Sequence, residues 1–114
     1  DVALPIFSYY EEALKHFDND IPVMIFSDDV GWCQSQSLFG SDRFIISESH
    51  NAFIDLCLMS MCHYHIIANS SFSWWGAWLA KSKKVVAPTK WYGTDGYTSK
   101  NQTHDLYLDG WIKV

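Results

Sequence analysis

Apolar residues recur at three- and four-residue steps from Pro5 to Phe17, where Ile6, Tyr9, Tyr10, Ala13, Leu14 and Phe17 are separated by Glu11, Glu12 and Lys15. That spacing predicts an amphipathic helix, closed by Asp18-Asn19-Asp20 and Pro22. Val23-Met24-Ile25-Phe26 follows as an unbroken apolar run between Pro22 and Ser27-Asp28-Asp29, and it reads as a strand buried on both faces. Val30 to Phe39 is a weaker helix or loop, ended by Gly40-Ser41-Asp42, and Phe44-Ile45-Ile46 is a short second strand. Ser49 and Asn51 are candidate N-caps for a helix through Cys62 with a mostly apolar surface. Tyr64 to Ala68 gives a third strand. A tryptophan-rich helix then runs from Asn69-Ser70-Ser71 to about Lys81, with Lys81, Lys83 and Lys84 where cations suit a helix C-terminus. Val85-Val86-Ala87 is a fourth strand stopped by Pro88. Thr89 to Gln102 reads as a long surface loop, and Leu106 to Val114 as a short helix or extended tail.

Strands alternating with helices at this spacing imply βαβ crossovers, and the fold class expected is α/β, a Rossmann-like, mostly parallel sheet flanked by helices. Ligands of such sheets bind outside the carboxyl ends of the strands. Three places are therefore candidates: Ser27-Asp28-Asp29, Asn69-Ser70-Ser71, and Pro88 to Gly93.

The chain has 114 residues, enough for one core but too few for a two-domain enzyme. Eight Lys and Arg against 13 Asp and Glu give a net charge of -5. No basic surface is available to neutralise many phosphates, so nucleic acid is not an expected partner. Apolar runs are interrupted by Asp55, Ser60, His63 and His65, far short of the roughly 20 residues that span a bilayer. The chain opens on Asp1 with no leader pattern, as a mature chain or a piece of a longer one would. Cys33, Cys57 and Cys62 are odd in number and irregular in spacing, which fits free thiols in a reducing compartment better than a disulfide framework.

Candidate chemistry centres on His65-Ile66-Ile67-Ala68-Asn69-Ser70-Ser71-Phe72-Ser73-Trp74-Trp75-Gly76-Ala77-Trp78. A strand running into small hydroxyl and amide side chains and then a helix offers free backbone N–H groups and Ser donors to a diphosphate. The plainer reading is that Asn69 or a serine caps the helix. Trp74 and Trp78 share a helix face while Trp75 points roughly 100° away; core packing of at least two of the three competes with stacking on a sugar or base, where Gly76 would allow close approach. Asp55 is either a macrodipole partner in the first helical turns or an acceptor for the paired N–H groups of a guanine edge. Asp28-Asp29 would bind ribose hydroxyls or shape a turn. Cys62-His63-Tyr64-His65 contains zinc ligands but has no second pair at metal-like spacing, so no metal is expected. There is no Gly-x-Ser-x-Gly elbow for a hydrolase.

Ile25-Phe26-Ser27-Asp28-Asp29 with Trp32, Asp55-Leu56-x-Leu58-Met59-Ser60-x-Cys62, the serine-tryptophan block from His65 to Leu79, and Ala87-Pro88-x-x-Trp91 resemble the C-terminal half of the bacterial α-1,2-fucosyltransferases of glycosyltransferase family 11. The similarity runs from about Tyr10 to Trp111-Ile112. It implies the C-terminal, nucleotide-holding half of a GT-B enzyme. Such an enzyme moves L-fucose from GDP-β-L-fucose to the 2-hydroxyl of a terminal galactose, with inversion and without a metal or other cofactor. Residues 1–114 would then be one nucleotide-sugar-binding domain. Asp28, Asp55, Asn69, Ser70, Ser71, Phe72 and Ser73 would be its donor-binding residues: Asp55 for the guanine, and Asn69 to Ser73 for the diphosphate and the fucose. No catalytic base is assigned. The family's His-x-Arg-Arg motif belongs to an N-terminal domain that also holds most of the galactose-terminated glycan acceptor. This chain has a single arginine, Arg43, and no such motif. The expectation is a domain separated from its N-terminal partner and inactive alone, from a cytoplasmic protein peripheral to the inner membrane in bacteria. The competing class is a stand-alone carbohydrate-binding module, suggested by six Trp and six Tyr, several of them between Trp91 and Tyr97.

Overall fold

The computed structural model describes residues 3–68, 70–89 and 107–114. Along the chain run α1 (Ala3–Leu14), β1 (Val23–Ile25), α2 (Val30–Ser35), a 3₁₀ turn (Ser37–Phe39), β2 (Phe44–Ile46), α3 (Ala52–Ser60), β3 (Tyr64–Ile66), α4 (Ser71–Ala80), β4 (Lys84–Ala87) and β5 (Ile112–Lys113). The α/β alternation expected from the sequence is present, and every strand pair is parallel. The strands form two sheets rather than one, β1-β2 and β3-β4-β5.

Each cap has a local cause. Asn51 accepts a hydrogen bond from the Ile54 amide at the start of α3, Asp29 does the same for Trp32 in α2, and Ser70 for Ser73 in α4. These side chains satisfy amide donors that a first helical turn leaves open. At the other end of α4 Lys81 takes a left-handed conformation, φ 50°, and its amide bonds back to the carbonyls of Ala77 and Trp78. The tail left open by the sequence is a strand: Val86 pairs with Ile112 and Ala87 with Lys113.

The packed centre is the second sheet. Ile67, Ala77, Val85 and Ala87 are fully buried together, with Trp74, Tyr107 and Trp111 packed against them. Val86, turned to the opposite face by the two-residue period of a strand, is also fully buried. Helix α1 lies along this sheet. The Tyr9 hydroxyl donates to the carbonyl oxygens of Ile67 at 2.5 Å and Val86 at 3.1 Å, and burial pushes its pKa well above the usual phenol range. Past the helix end, the Lys84 ammonium donates to the His16 carbonyl and stands 4.7 Å over the Phe17 ring.

The first sheet departs from expectation. β1 is not buried on both faces, because Met24 is 40% exposed and its register partner Ile45 is 53% exposed. That face of the two-stranded sheet is left largely uncovered by the described residues. The helix tryptophans also depart: of Trp74, Trp75 and Trp78 only Trp74 packs against the core, while Trp75 and Trp78 stay 48% and 47% exposed. The Trp74 and Trp78 rings are nearly parallel, 12° apart, as residues one turn apart should be. The three cysteines are free, and no helix among the described residues is long and apolar enough to cross a membrane.

Gly76 serves packing between helices. A Cβ at this position would come within 2.7 Å of the Met59 sulfur and 3.0 Å of its Cβ. Met59 is itself buried, so α3 and α4 touch here because one of them has no side chain. Gly76→Ala should gain about 1 kcal/mol of helix propensity and lose more by overpacking, for which 1–3 kcal/mol is typical. A net fall in the thermal midpoint, partly restored by Met59→Ala in the same chain, is the expected outcome in calorimetry.

His65 gives a pH dependence. Its Nε2 lies 2.7 Å from the Met59 carbonyl oxygen, which only accepts, so the proton resides on Nε2. Nδ1 is buried with no hydrogen-bond partner among the described residues. Burial holds the imidazole pKa below its ordinary value, with the Met59 bond opposing. The unfolded chain therefore takes up this proton first. The stability due to neutral His65 is complete above about pH 6.5 and is lost as the pH falls toward the lowered folded value. Urea midpoints should drop between pH 7.5 and 5.5, and less so in His65→Leu.

Candidate functional site

Parallel pairing sends the loops after β1 and β2 to one end of their sheet, and the loop after β3 in the other sheet meets them. There they surround a cleft of about 770 Å³ lined by Ser27, Asp28, Ser47, His50, Asp55, Ser70, Phe72 and Ser73 among others. The cleft lies at the end of the strands where the carboxyl-end rule looks for a ligand. Five of the residues lining it were expected from the sequence to bind a donor: Asp28, Asp55, Ser70, Phe72 and Ser73. Ser71 is exposed and does not line the cleft. Asn69 lies outside the described residues, as does the stretch from Lys90 to Leu106 that holds most of the third expected loop.

Asp55 is the most strongly positioned of these side chains. Ser47 and Ser49, in the loop after β2, both donate hydroxyl hydrogen bonds to its Oδ1, at 2.8 and 2.7 Å. Two donors on one oxygen fix the carboxylate plane and leave Oδ2 without a hydrogen-bond partner among the described residues. A carboxylate held this way is a preorganised acceptor facing a cleft. A macrodipole role alone would not require two serines.

The serines of the α4 turn divide their work. Ser70 caps the helix, and its hydroxyl lies 2.9 Å from that of Ser73. Ser73 in turn donates to the carbonyl of Ala68 at 3.0 Å. Both hydroxyls are engaged in shaping the turn. Of the first-turn amides of α4, that of Ser73 is taken by the Ser70 hydroxyl and that of Trp74 by the Ser70 carbonyl, which leaves those of Ser71 and Phe72 without an intrahelical acceptor. The two aspartates after β1 are split similarly: Asp29 caps α2 through Trp32 at 2.9 Å, and Asp28 stays exposed on the cleft.

The loop after β2 contributes residues that sequence reading passed over. Ser47, His50 and Asn51 line the cleft, and His50 holds a left-handed backbone, φ 54°. That conformation is uncommon for a residue with a side chain, though histidine is enriched in it. The same carboxyl-end rule, applied to Phe44-Ile45-Ile46, would have pointed here. None of Trp74, Trp75 and Trp78 lines the cleft, so the stacking role considered for them is not realised in it. Arg43 is at the opposite end of β2, donating to the carbonyls of Ile21 and Asp18 at 2.8 and 3.0 Å. The cleft lining contains no Lys or Arg among the described residues. No cluster of three or more His, Cys, Asp and Glu suited to a metal occurs among them either.

The model of glycosyl transferase family 11 matches residues 6–114. The chain belongs to this family. It is 36% identical over 113 residues to the O-antigen biosynthesis glycosyltransferase WbnK of Escherichia coli, covering 93% of this chain and 35% of that protein. It is 35% identical over 114 residues to an alpha-1,2-colitosyltransferase of Escherichia coli, covering 93% of this chain and 38% of that one. The chain thus spans little more than a third of the length of these curated relatives. No solved structure matches it.

For this family 11 chain the geometry separates capping from ligand contact. Ser70→Ala removes the cap and should cost about 1 kcal/mol, whereas Ser71→Ala, at an exposed position, should stay within about 0.5 kcal/mol. Urea unfolding of the two variants measures the difference.

Proposed function

We propose that this chain is the donor-binding part of a family 11 glycosyltransferase that transfers L-fucose from GDP-fucose to the 2-hydroxyl of a galactose-terminated glycan. The observation that carries the reading is Asp55, oriented by Ser47 and Ser49 in a cleft at the carboxyl ends of parallel strands. A guanine edge offers an N–H pair, and an ionised carboxylate accepts from both. The diphosphate would lie toward the first turn of α4, where amide donors and the helix dipole favour an anion without a lysine or a metal. Asp28 and Asn69 to Ser73 complete the proposed donor contacts, with Ser70 and Ser73 acting through the turn they hold.

Family membership supports glycosyl transfer, and the printed name of one relative, an alpha-1,2-colitosyltransferase, supports an α-1,2 linkage while naming a different sugar. Fucose as the transferred sugar therefore rests on the resemblance of the serine-tryptophan block. The single arginine is engaged with backbone carbonyls far from the cleft. A cation clamp on the leaving diphosphate, worth several kcal/mol in a transition state, has to come from elsewhere. We accordingly propose that residues 1–114 form one domain that acts with an N-terminal domain, in a cytoplasmic protein peripheral to the inner membrane, and that they lack transferase activity alone.

Titration calorimetry tests this reading. GDP should bind the chain and ADP much less, since adenine lacks the N–H pair. Asp55→Ala should weaken GDP by at least about tenfold, as hydrogen bonds to a charged group contribute about 1.5–3 kcal/mol each. Binding of free galactosides with no response to GDP would instead favour a carbohydrate-binding module.

A further inference from the structure

The two sheets are separated by a gap, and the gap has the form of a strand position. Its sides are β1 and β3: Val23 and Ile66 line both the 770 Å³ cleft at the carboxyl ends and a second cavity of about 520 Å³ at the amino ends. Leu14, past the middle of α1, lines both as well, while Met59 and Met61 at the end of α3 line one cavity each. The space is thus walled by a strand on either side, with α1 and α3 contributing to its lining, and its lining is largely apolar.

The backbone facing it is unpaired. The Val23 amide bonds to Arg43 and the Ile25 carbonyl accepts from Ser47, both toward β2. The Ile67 amide bonds to Val86 and the His63 carbonyl accepts from Lys83, both toward β4. Peptide groups of alternate residues point to opposite edges of a strand. The groups of Met24, Tyr64 and Ile66 therefore point into the gap, and among the described residues neither β1 nor β3 has a second neighbour. Open edges on two facing strands are a template for a third.

Connectivity says which segment fits. Helix α1 is anchored to the far sheet, through Tyr9 near its middle and the His16 carbonyl just past its end, yet the chain leaving it enters β1. It crosses the gap to do so. A strand in the gap, followed by α1 and then β1, completes a βαβ unit, a connection that is right-handed in nearly all proteins. The resulting order, β2-β1-new-β3-β4-β5, is the doubly wound order in which the first strand lies at the centre. The matched E. coli relatives have nearly two thirds of their length outside the region shared with this chain.

We infer that the gap between β1 and β3 receives an extended apolar segment of the longer polypeptide, joined to the N-terminal side of α1, as a central parallel strand. About five residues suffice, and, covered on both faces, they form a continuous apolar run. Residues just after the segment emerge at the cleft mouth beside Asp28 and Asp55, so the site has a further wall besides those that the described residues provide. This inference stands independently of the nucleotide reading.

Amide hydrogen exchange by NMR tests it, comparing the 114-residue chain with the same chain extended by the stretch that immediately precedes the matched region in the 36%-identical relative. In the chain itself Met24, Tyr64 and Ile66 should exchange roughly 100-fold faster than Val23 and Ile67; in the extended protein they should slow to match. A proline at the centre of the added run should reverse the effect. Equal protection in the unextended chain would show β1 and β3 paired directly and overturn the inference. So would fast exchange at Met24 and Ile66 in a folded extended protein. If the unextended chain shows no protection anywhere, the extended protein and its proline variant decide by the same criterion. Protection gained without GDP binding would defeat the nucleotide reading alone.

Discussion

Because β1 lies parallel to β2, and β3 parallel to β4 and on to β5, every connection has to carry the chain back across a face of the sheet before the next strand can pair. The helices are the consequence, and so is the position of the site. Parallel strands place all their carboxyl ends on one side, and the loops that follow them, with their caps and turns, meet there. Asp28, Ser47, His50, Asp55 and Ser70 come from four separate segments of sequence and share one cleft because the carboxyl ends of both sheets face it.

Within that frame the two layers are held in different ways. On one side α3 and α4 approach so closely at Gly76 and Met59 that a single methyl group would disturb them. On the other, α1 is attached by directional bonds, from Tyr9 to two strand carbonyls and from Lys84 to the carbonyl of His16. The close contact rigidifies the pair of helices whose N-terminal ends carry Asp55 and the Ser70 turn. An aligned acceptor and an aligned set of amide donors follow from that packing, and preorganisation of this kind lowers what binding must spend on ordering.

Charge is distributed to match. The chain is acidic overall, with net charge -5, and its arginine holds the amino-terminal end of the small sheet together. The cleft has carboxylates, hydroxyls and backbone donors. Such a site suits a neutral base edge and an anion bound by N–H groups far better than a polyanion held by cations. A second domain that brings positive charge would complement it, in keeping with the length of the relatives.

Much of this was legible in the sequence. The helix over Pro5 to Phe17, the caps at Asn51 and Ser70, the apolar strands and the hydroxyl-rich turn before the tryptophans each follow from local pattern, because capping and periodicity act within a few residues. The serine-tryptophan block also marked the family. Several features did not follow. The bracing of Asp55 by Ser47 and Ser49 depends on how the loop after β2 folds back on α3. The exposure of Met24, Trp75 and Trp78 depends on what other elements cover them, which hydrophobicity does not state. The division into two sheets with open facing edges is a matter of long-range pairing, decided only when separate segments meet. The sequence by itself determined the elements, their order and the family. Tertiary structure decided which carboxylate is held ready, which aromatics are buried and where a strand position stands open, since each of these depends on contacts between residues far apart in the chain.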